Sequence, residues 1–492
     1  MIPSLTPSNR VHDLRSALEL LEEHPGQLIQ TSVEVDPQAE LSGVYRHVGA
    51  GGTVMRPTKM GPAMIFNKIK GYENARVAIG LLADRKRVAL LLGTTSERLG
   101  FHLCAALNNP IAPVMVATAP CQEVVHLASE PGFDILKLIP APTNTVEDSG
   151  PFITMGLCYG ADPETGEEDV TIHRMCIQGP DEISMMLVPG RHLDAFRIKA
   201  EQAGKPQPIS ISIGLDPAVY IASCFEAPST PLGFNELTIA GALRNRPVEL
   251  VQCRTVKAKA IANAEIVIEG ELLPGRRVAE DQNTHTGKAM PEFPGYNGPA
   301  NPSLPVIKVK AITHRVNPIM QTVIGPSEEH VNLAGIPTEA SIITMVHKAL
   351  PGFLQNVYAH PAGGGKYLAV MQVKKAVPFD EGRQRQAALL AFSAFSELKH
   401  VILVDEDVDP FDSNDVMWAM TTRFQADADV VPIPGVRCHP LDPSQRPEMS
   451  GSIRSKGITC KAIFDCTVPF ELKDQFERAP FMDVDYERFL KG

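Results

Sequence analysis

The stretch Ile209-Ser-Ile-Ser-Ile213 alternates a β-branched apolar residue with a small hydroxylated one, the period of two that sends successive side chains to opposite faces of a strand. It has several companions: Val170-Thr-Ile172, Ala264-Glu-Ile-Val-Ile268 and Leu304-Pro-Val-Ile-Lys-Val-Lys310. Short apolar runs rich in Val, Ile and Thr read as antiparallel strands. Residues 121–325 are therefore expected to form a β domain.

The flanking regions carry other patterns. Leu14, Leu18 and Leu21 recur at helical spacing between Ser8-Asn9 and Pro25-Gly26, which predicts an amphipathic first helix with a cap and a stop. Arg76–Leu82 reads as a strand and Val88–Leu92 as a helix, so residues 1–120 form a mixed α/β unit closing near the Pro-rich Asn108-Asn-Pro-Ile-Ala-Pro113. Residues 326–350 carry a capped helix expected to begin near Pro337-Thr-Glu339 and to link two domains. Beyond it, Tyr367–Val373, Gln386–Leu398 and Val401–Val404 alternate strand, helix and strand, the order of a βαβ unit. Residues 351–492 are thus a C-terminal α/β domain whose polar tail, with an amphipathic Phe470–Phe476 segment, is expected to pack on a neighbouring subunit. The fold class is α/β (α+β).

A chain of 492 residues exceeds what one core sustains. Its net charge of -11 disfavours nucleic acid and anionic membrane surfaces, which call for a basic face. Nine cysteines without a CxxC pair read as reduced thiols of a cytoplasmic protein. Met1-Ile-Pro-Ser-Leu-Thr-Pro-Ser8 lacks a basic region followed by an apolar run, and no apolar stretch approaches the ~18 residues of a membrane span. Neither secretion nor a membrane span is expected.

Chemistry concentrates in four polar clusters: Asp169-Val-Thr-Ile-His-Arg174, Gly190-Arg-His192, Phe234-Asn-Glu236 and Pro291-Glu-Phe-Pro-Gly-Tyr296. Asp169, His192 and Glu236 offer two carboxylates and an imidazole, a hard-leaning set suited to Mn²⁺ or Mg²⁺. Asp169 and Arg174 lie five apart, so in a regular strand they face opposite ways and a bulge or turn must re-aim one of them. On composition alone Glu292 belongs to a proline-fixed turn, and Lys366 is a solvated lysine after a flexible triple glycine. Gly363-Gly-Gly365 is no Walker loop, because Tyr367 follows the lysine. Asp405-Glu-Asp-Val-Asp409 lacks the glycine and glutamate of a Ca²⁺ loop. Cys224 has no paired His in an identifiable motif, which argues against a nucleophile.

These clusters, with Ala141-Pro-Thr-Asn-Thr145, Gly325-Pro-Ser-Glu-Glu-His330, Gly363-Gly-Gly-Lys366 and Val404-Asp-Glu-Asp-Val-Asp409, resemble the UbiD family of decarboxylases from end to end, and most closely its protocatechuate and gallate branch. The resemblance implies a central split β-barrel holding prenylated FMN, a linker helix and a C-terminal α/β/α domain. It implies a metal triad in which Asp169 takes an Asn position beside His192 and Glu236, with Mn²⁺ or Mg²⁺ and K⁺. Thr171, Ile172, His173, Arg174, Arg191, His192, Ser223, Cys224, Phe225 and Glu236 fall where the family contacts its cofactor. Arg174 matches the catalytic arginine, and Glu292 the proton donor at the end of the family's Glu-Gly-Pro-Phe-Gly-Glu string. The first Glu of that string falls on Gly287, so Arg174 relies on Glu292 alone, or Glu280, Asp281 or His285 fills the gap from an altered loop. His330 and Lys366 match the partners of the phenolic hydroxyls.

The implied reaction is reversible, non-oxidative decarboxylation of a para-hydroxylated aromatic acid, protocatechuate or gallate, to catechol or pyrogallol. The alternative within the family is 4-hydroxybenzoate or an acrylic or heteroaromatic acid. Outside it stand an FMN-dependent split-barrel reductase, which needs no metal triad, and a noncatalytic scaffold, against which the retained Arg174, Glu292 and ligand positions speak. Expected partners are a small hydroxybenzoate, a flavin prenyltransferase that supplies the cofactor, and further copies of the chain in a homodimer or hexamer.

Overall fold

The computed structural model describes residues 10–52 and 59–490. The first helix, Leu14–Glu22, buries Leu14, Leu18 and Leu21 as the spacing predicts. Ser8-Asn9 lie outside the described residues; the cap is Asp13, whose carboxylate accepts the Ser16 N–H at 2.8 Å and pairs with Arg315 at 2.8 Å. Arg76–Ile79 is a strand and Arg85–Leu92 a helix.

The N-terminal sheet has four strands in the order Leu28–Thr31, Ala63–Phe66, Arg76–Ile79, Ile319–Thr322. Its last strand comes from the end of the 121–325 stretch expected for the β domain and runs parallel to Arg76–Ile79. The chain therefore leaves the N-terminal unit, builds the β domain, and returns to complete the first sheet.

The β domain is a closed six-stranded barrel, ordered Ile266–Val278, Gln207–Ile213, Phe152–Ala161, Glu168–Ile177, Glu182–Met185, Leu304–His314, with the first strand pairing back onto the last. Val124–Leu127 adds to Leu304–His314 from outside. Alternation in the opening stretch has a physical basis here: Ile209, Ile211 and Ile213 join one core. Ser210 and Ser212 turn the other way, where Ser210 donates to the Lys259 carbonyl at 2.5 Å and Ser212 accepts the Ile261 N–H at 3.2 Å.

The linking helix spans Glu328–Ala349. It begins about two turns earlier than the expected start at Pro337, with Ser327 as its cap and Pro337 in its interior. Packing explains the difference. Buried Leu333, Ile336, Ala340 and Ile343 hold the helix on both sides of the proline, and burial outweighs the loss of one N–H donor. From this helix Glu329 accepts the N–H groups of Gly80 and Leu82 at 2.7 and 3.1 Å, and Glu339 pairs with Arg85 at 2.7 Å, so the helix is tied firmly to the N-terminal unit.

The C-terminal sheet is ordered Leu354–Ala359, Leu368–Val373, His400–Asp405, Ile458–Cys466, Val430–Arg437. Leu368–Val373 and His400–Asp405 are parallel and joined through the helix Arg383–Ala394, the βαβ unit expected. All nine cysteines are free, and no helix among the described residues is long and apolar enough to cross a membrane.

Candidate active site

A cavity of about 550 Å³ lies where barrel, linking helix and C-terminal domain meet, inside the range of small-molecule sites. One wall is the strand Glu168–Ile177, which presents Thr171, Ile172, His173 and Arg174. The strand is continuous across Asp169 and Arg174, with no bulge or turn between them; the irregularity of this ladder lies in its neighbour. Register slips between Ile153↔Met175 and Gly156↔His173, so Thr154 and Met155 both stand opposite Arg174.

Arg174 is held from two sides. Glu280 takes its Nε and Nη2 in a bidentate pair at 3.0 and 2.9 Å, and Glu292 takes Nη1. The gap in the glutamate–arginine–glutamate arrangement is thus filled by Glu280. Asp281 instead closes its own loop by accepting the N–H groups of Thr284, His285 and Gly287, and His285 lies on the surface with a positive φ of 53°. Glu280 is fixed in turn by the Asn301 N–H on Oε2 at 2.9 Å.

Glu292 opens the tight turn between the strands Lys288–Pro291 and Asn297–Pro299, its N–H donating to the Tyr296 carbonyl at 2.8 Å and its own carbonyl accepting from Gly295 at 2.9 Å. The turn expected from composition is real, and it is what presents the carboxyl. Two glycines let it approach. A Cβ at Gly298 would lie 2.7 Å from Glu292 Cγ and 3.3 Å from Arg174 Nη1, and one at Gly325 would lie 2.2 Å from the Pro291 carbonyl oxygen. Burial pushes the Glu292 carboxyl up from its ordinary range, against the pull of Arg174. Burial opposes the charge on Arg174, but Glu292 and Glu280 outweigh it and keep the guanidinium charged.

The cavity is also lined by Lys366 and Arg191, each paired with carboxylates. Lys366 Nζ pairs with Glu397 at 2.8 Å and Glu226 at 3.5 Å, and Arg191 pairs with Glu226 and with Glu397 at 2.9 Å each. His330 lies in the first turn of the linking helix and stacks on Phe293 with centroids 5.2 Å apart and planes at 16°. Phe293 also meets Tyr367 and His439, each at 5.1 Å. Burial drives the His439 imidazole far below its usual range, helped by Lys366, so it is neutral. Phe293 and His439, with the carboxylates Glu226 and Glu397, are members that sequence reasoning missed, because nothing in their spacing connects residues so far apart in the chain.

Ser223, Cys224 and Phe225 line the cavity as expected. Burial pushes the Cys224 thiol up to about 12, which leaves it protonated and unsuited to nucleophilic attack. His173 donates its Nδ1–H to the Met186 carbonyl at 3.0 Å, and burial lowers its pKa to about 4, so the ring is neutral.

Asp169 contacts His192, and its charge is felt by Glu236. His192 Nδ1 lies 3.1 Å from Asp169 Oδ1. Glu236 is buried, its Oε2 has no hydrogen-bond partner, and burial reinforced by the Asp169 charge pushes its carboxyl up to about 8. Two carboxylates forced together with one oxygen unsatisfied is an arrangement a cation relieves. Among the described residues no three His, Cys, Asp or Glu side chains are drawn closely enough to enclose a metal ion. The donors suit a divalent cation in kind and charge but do not surround one, since His192 bonds directly to Asp169.

Three domain families match the chain in succession: the N-terminal domain of 3-octaprenyl-4-hydroxybenzoate carboxy-lyase over residues 18–107, its Rift-related domain over 113–328 and its C-terminal domain over 331–466. A gallate decarboxylase of Lactiplantibacillus plantarum is 57% identical over 484 residues, covering 97% of this chain and 99% of that protein. The apo structure of a 3,4-dihydroxybenzoic acid decarboxylase from Enterobacter cloacae superposes with a TM-score of 0.93 at 62% identity, over 98% of this chain and 99% of the other. An evolved dimeric form of a UbiD-class enzyme from Pelotomaculum thermopropionicum, in complex with prFMN, superposes with a TM-score of 0.82 at 35% identity, over 96% and 98% of the two chains.

Proposed function

This chain belongs to the UbiD family, and from that premise we propose that it catalyses the non-oxidative decarboxylation of para-hydroxylated benzoates, protocatechuate and gallate foremost, with prenylated FMN as cofactor. The observation that carries the reading is one cavity lined by Arg174 and Glu292, clamped with Glu280, together with Lys366, Arg191 and His330. A hydroxybenzoate has groups for both sets, a carboxylate and a phenol.

Loss of CO₂ from a benzoate in water leaves an electron pair in the ring plane, out of conjugation. Bound prenylated FMN supplies an electrophile that takes up those electrons. The protein's contribution is placement and electrostatics. Arg174 orients the substrate carboxylate, Lys366 and His330 stabilise the ionised para hydroxyl, and Glu292 delivers the proton that replaces CO₂. His439 faces the same ring cluster and serves as a further hydrogen-bond partner for the hydroxyls.

Asp169, His192 and Glu236 would hold Mn²⁺ or Mg²⁺, which with K⁺ would supply positive charge for the cofactor; the unsatisfied, elevated Glu236 carboxyl supports the divalent ion. A separate flavin prenyltransferase would supply the cofactor, and the chain would act as a homo-oligomer. The test is protein co-produced with such an enzyme. Mass spectrometry should find prenylated FMN in the wild type and none in Glu236→Ala, and CO₂ release from protocatechuate or gallate should follow the cofactor. Full occupancy in Glu236→Ala would remove the ligand assignment, and a loaded but inert wild type would remove the activity.

The close approach at Gly298 yields a second expectation. Gly298→Ala drives a methyl into Glu292 Cγ, and displacing a catalytic group by about 1 Å costs up to about a hundredfold in rate. The variant should keep its flavin spectrum and lose about ten- to a hundredfold in kcat; unchanged kcat would mean that Glu292 need not stand where the turn places it.

A further inference from the structure

Glu397 does not border the cavity, yet it holds the two cations that do. It follows the helix Arg383–Ala394 in the C-terminal domain, with its side chain 9% exposed. Oε1 accepts Arg191 Nη2 at 2.9 Å and Oε2 accepts Lys366 Nζ at 2.8 Å, and His439 Nε2 lies 3.6 Å from Oε2. Glu226 closes the circuit by accepting from Arg191 Nη1 at 2.9 Å and Lys366 at 3.5 Å. Arg191 and Glu226 belong to the barrel domain, Lys366 and Glu397 to the C-terminal domain. Each cation thus touches one carboxylate from its own domain and one from the other, in a closed ring of two positive and two negative charges.

We propose that Glu397 is a positioning residue for the decarboxylation: it keeps Lys366 protonated and aimed at the cavity, and it binds the C-terminal domain to the barrel through Arg191. The role rests on the proposed function above, since the task of Lys366 is set by the phenol. Charge assigns the larger part to Glu397. The groups that face Lys366 are the carboxylates of Glu397 and Glu226, the Arg191 guanidinium, the neutral His439 imidazole and the Cys224 thiol, with the Phe395 ring 5.5 Å from Nζ. Burial and Arg191 both favour the neutral amine; the two carboxylates oppose them, and Glu397 is the nearer. Glutamine at position 397 keeps the size and hydrogen bonding of the side chain and removes only its charge, leaving Lys366 with the longer Glu226 contact.

Competitive acetylation of the flavin-loaded enzyme with acetic anhydride across pH, read at Lys366 by mass spectrometry against exposed Lys205, tests this without reference to turnover. In Glu397→Gln the Lys366 midpoint should fall by about one pH unit or more, the size of effect a contacting opposite charge exerts. Glu226→Gln should move it less, and Glu397→Asp should lie between wild type and Glu397→Gln. With protocatechuate, Glu397→Gln should lose at least about tenfold in kcat/KM, and the alkaline limb of its pH profile should move down with the labelling midpoint while flavin retention is unchanged. A Lys366 midpoint in Glu397→Gln equal to wild type, or a larger shift in Glu226→Gln, overturns the role. If the loaded wild type fails to decarboxylate any hydroxybenzoate, the functional reading falls and the labelling still decides whether Glu397 sets the charge on Lys366.

Discussion

Glu292→Gln should bind prenylated FMN normally and lose about a thousandfold or more in kcat, the upper part of the range for removing a general acid. Glutamine preserves the side-chain shape, the turn that begins at residue 292 and a hydrogen bond with Arg174, so what it lacks is the transferable proton. In the wild type, burial raises the carboxyl and Arg174 restrains the rise. The sign of the pH dependence follows. The acid form is the proton donor, and a raised pKa extends that form to higher pH than an ordinary glutamate allows. Turnover limited by protonation should therefore hold at low pH and fall as pH rises through the elevated pKa. Product formed in D₂O by the wild type should carry one deuterium at the carbon that bore the carboxylate. Near-normal turnover of Glu292→Gln with the same deuterium content would assign the proton to another group. Glu280 is the natural rival on distance from Arg174, but its oxygens are engaged by Arg174 and the Asn301 N–H, which leaves Glu292 as the carboxyl with room to exchange a proton.

What could be read from the chain depended on whether the signal was local. The alternation of Ile209-Ser-Ile-Ser-Ile213 identified a strand because its period is a property of five consecutive residues, and the leucines of Leu14–Glu22 identified a helix in the same way. Ile319-Met-Gln-Thr322 is too short to carry a period, and nothing in it tells that it pairs with Arg76–Ile79. Pro337 misled because a proline marks helix starts in isolation, whereas here the helix is buried along both halves. The site divides similarly. Arg174, Glu292, His330 and Lys366 were legible because strings around them match a family, and the structure brings all four to one cavity. The choice of Glu280 over Asp281 and His285 depended on how a loop folds, and adjacent residues in that loop point to different tasks. His439 and Glu397 reach Lys366 only through the packing of the C-terminal sheet, which no spacing records.

The largest discrimination expected is between substrates with and without a hydroxyl para to the carboxylate. Lys366 stays charged in a buried site because Glu397 and Glu226 overcome the burial that disfavours it, and a charge so placed stabilises a phenolate strongly while giving nothing to a C–H bond. A site built to engage a substrate hydroxyl rejects the analogue that lacks it by about 10⁴-fold or more, since its own polar groups are then left without the partner. Protocatechuate should therefore turn over at least about 10⁴ times more efficiently than 3-hydroxybenzoate, and removing only the meta hydroxyl, as in 4-hydroxybenzoate, should cost far less. Lys366→Met should abolish most of the advantage of the para hydroxyl while the bound flavin keeps its absorbance spectrum, which separates the loss from a collapsed site. Cinnamate supplies the decisive control, because an acrylic acid has no phenol to ionise. Comparable rates on protocatechuate, 3-hydroxybenzoate and cinnamate would show that activation does not pass through the phenolate, and would move the chemistry to cycloaddition with Lys366 reduced to a structural cation.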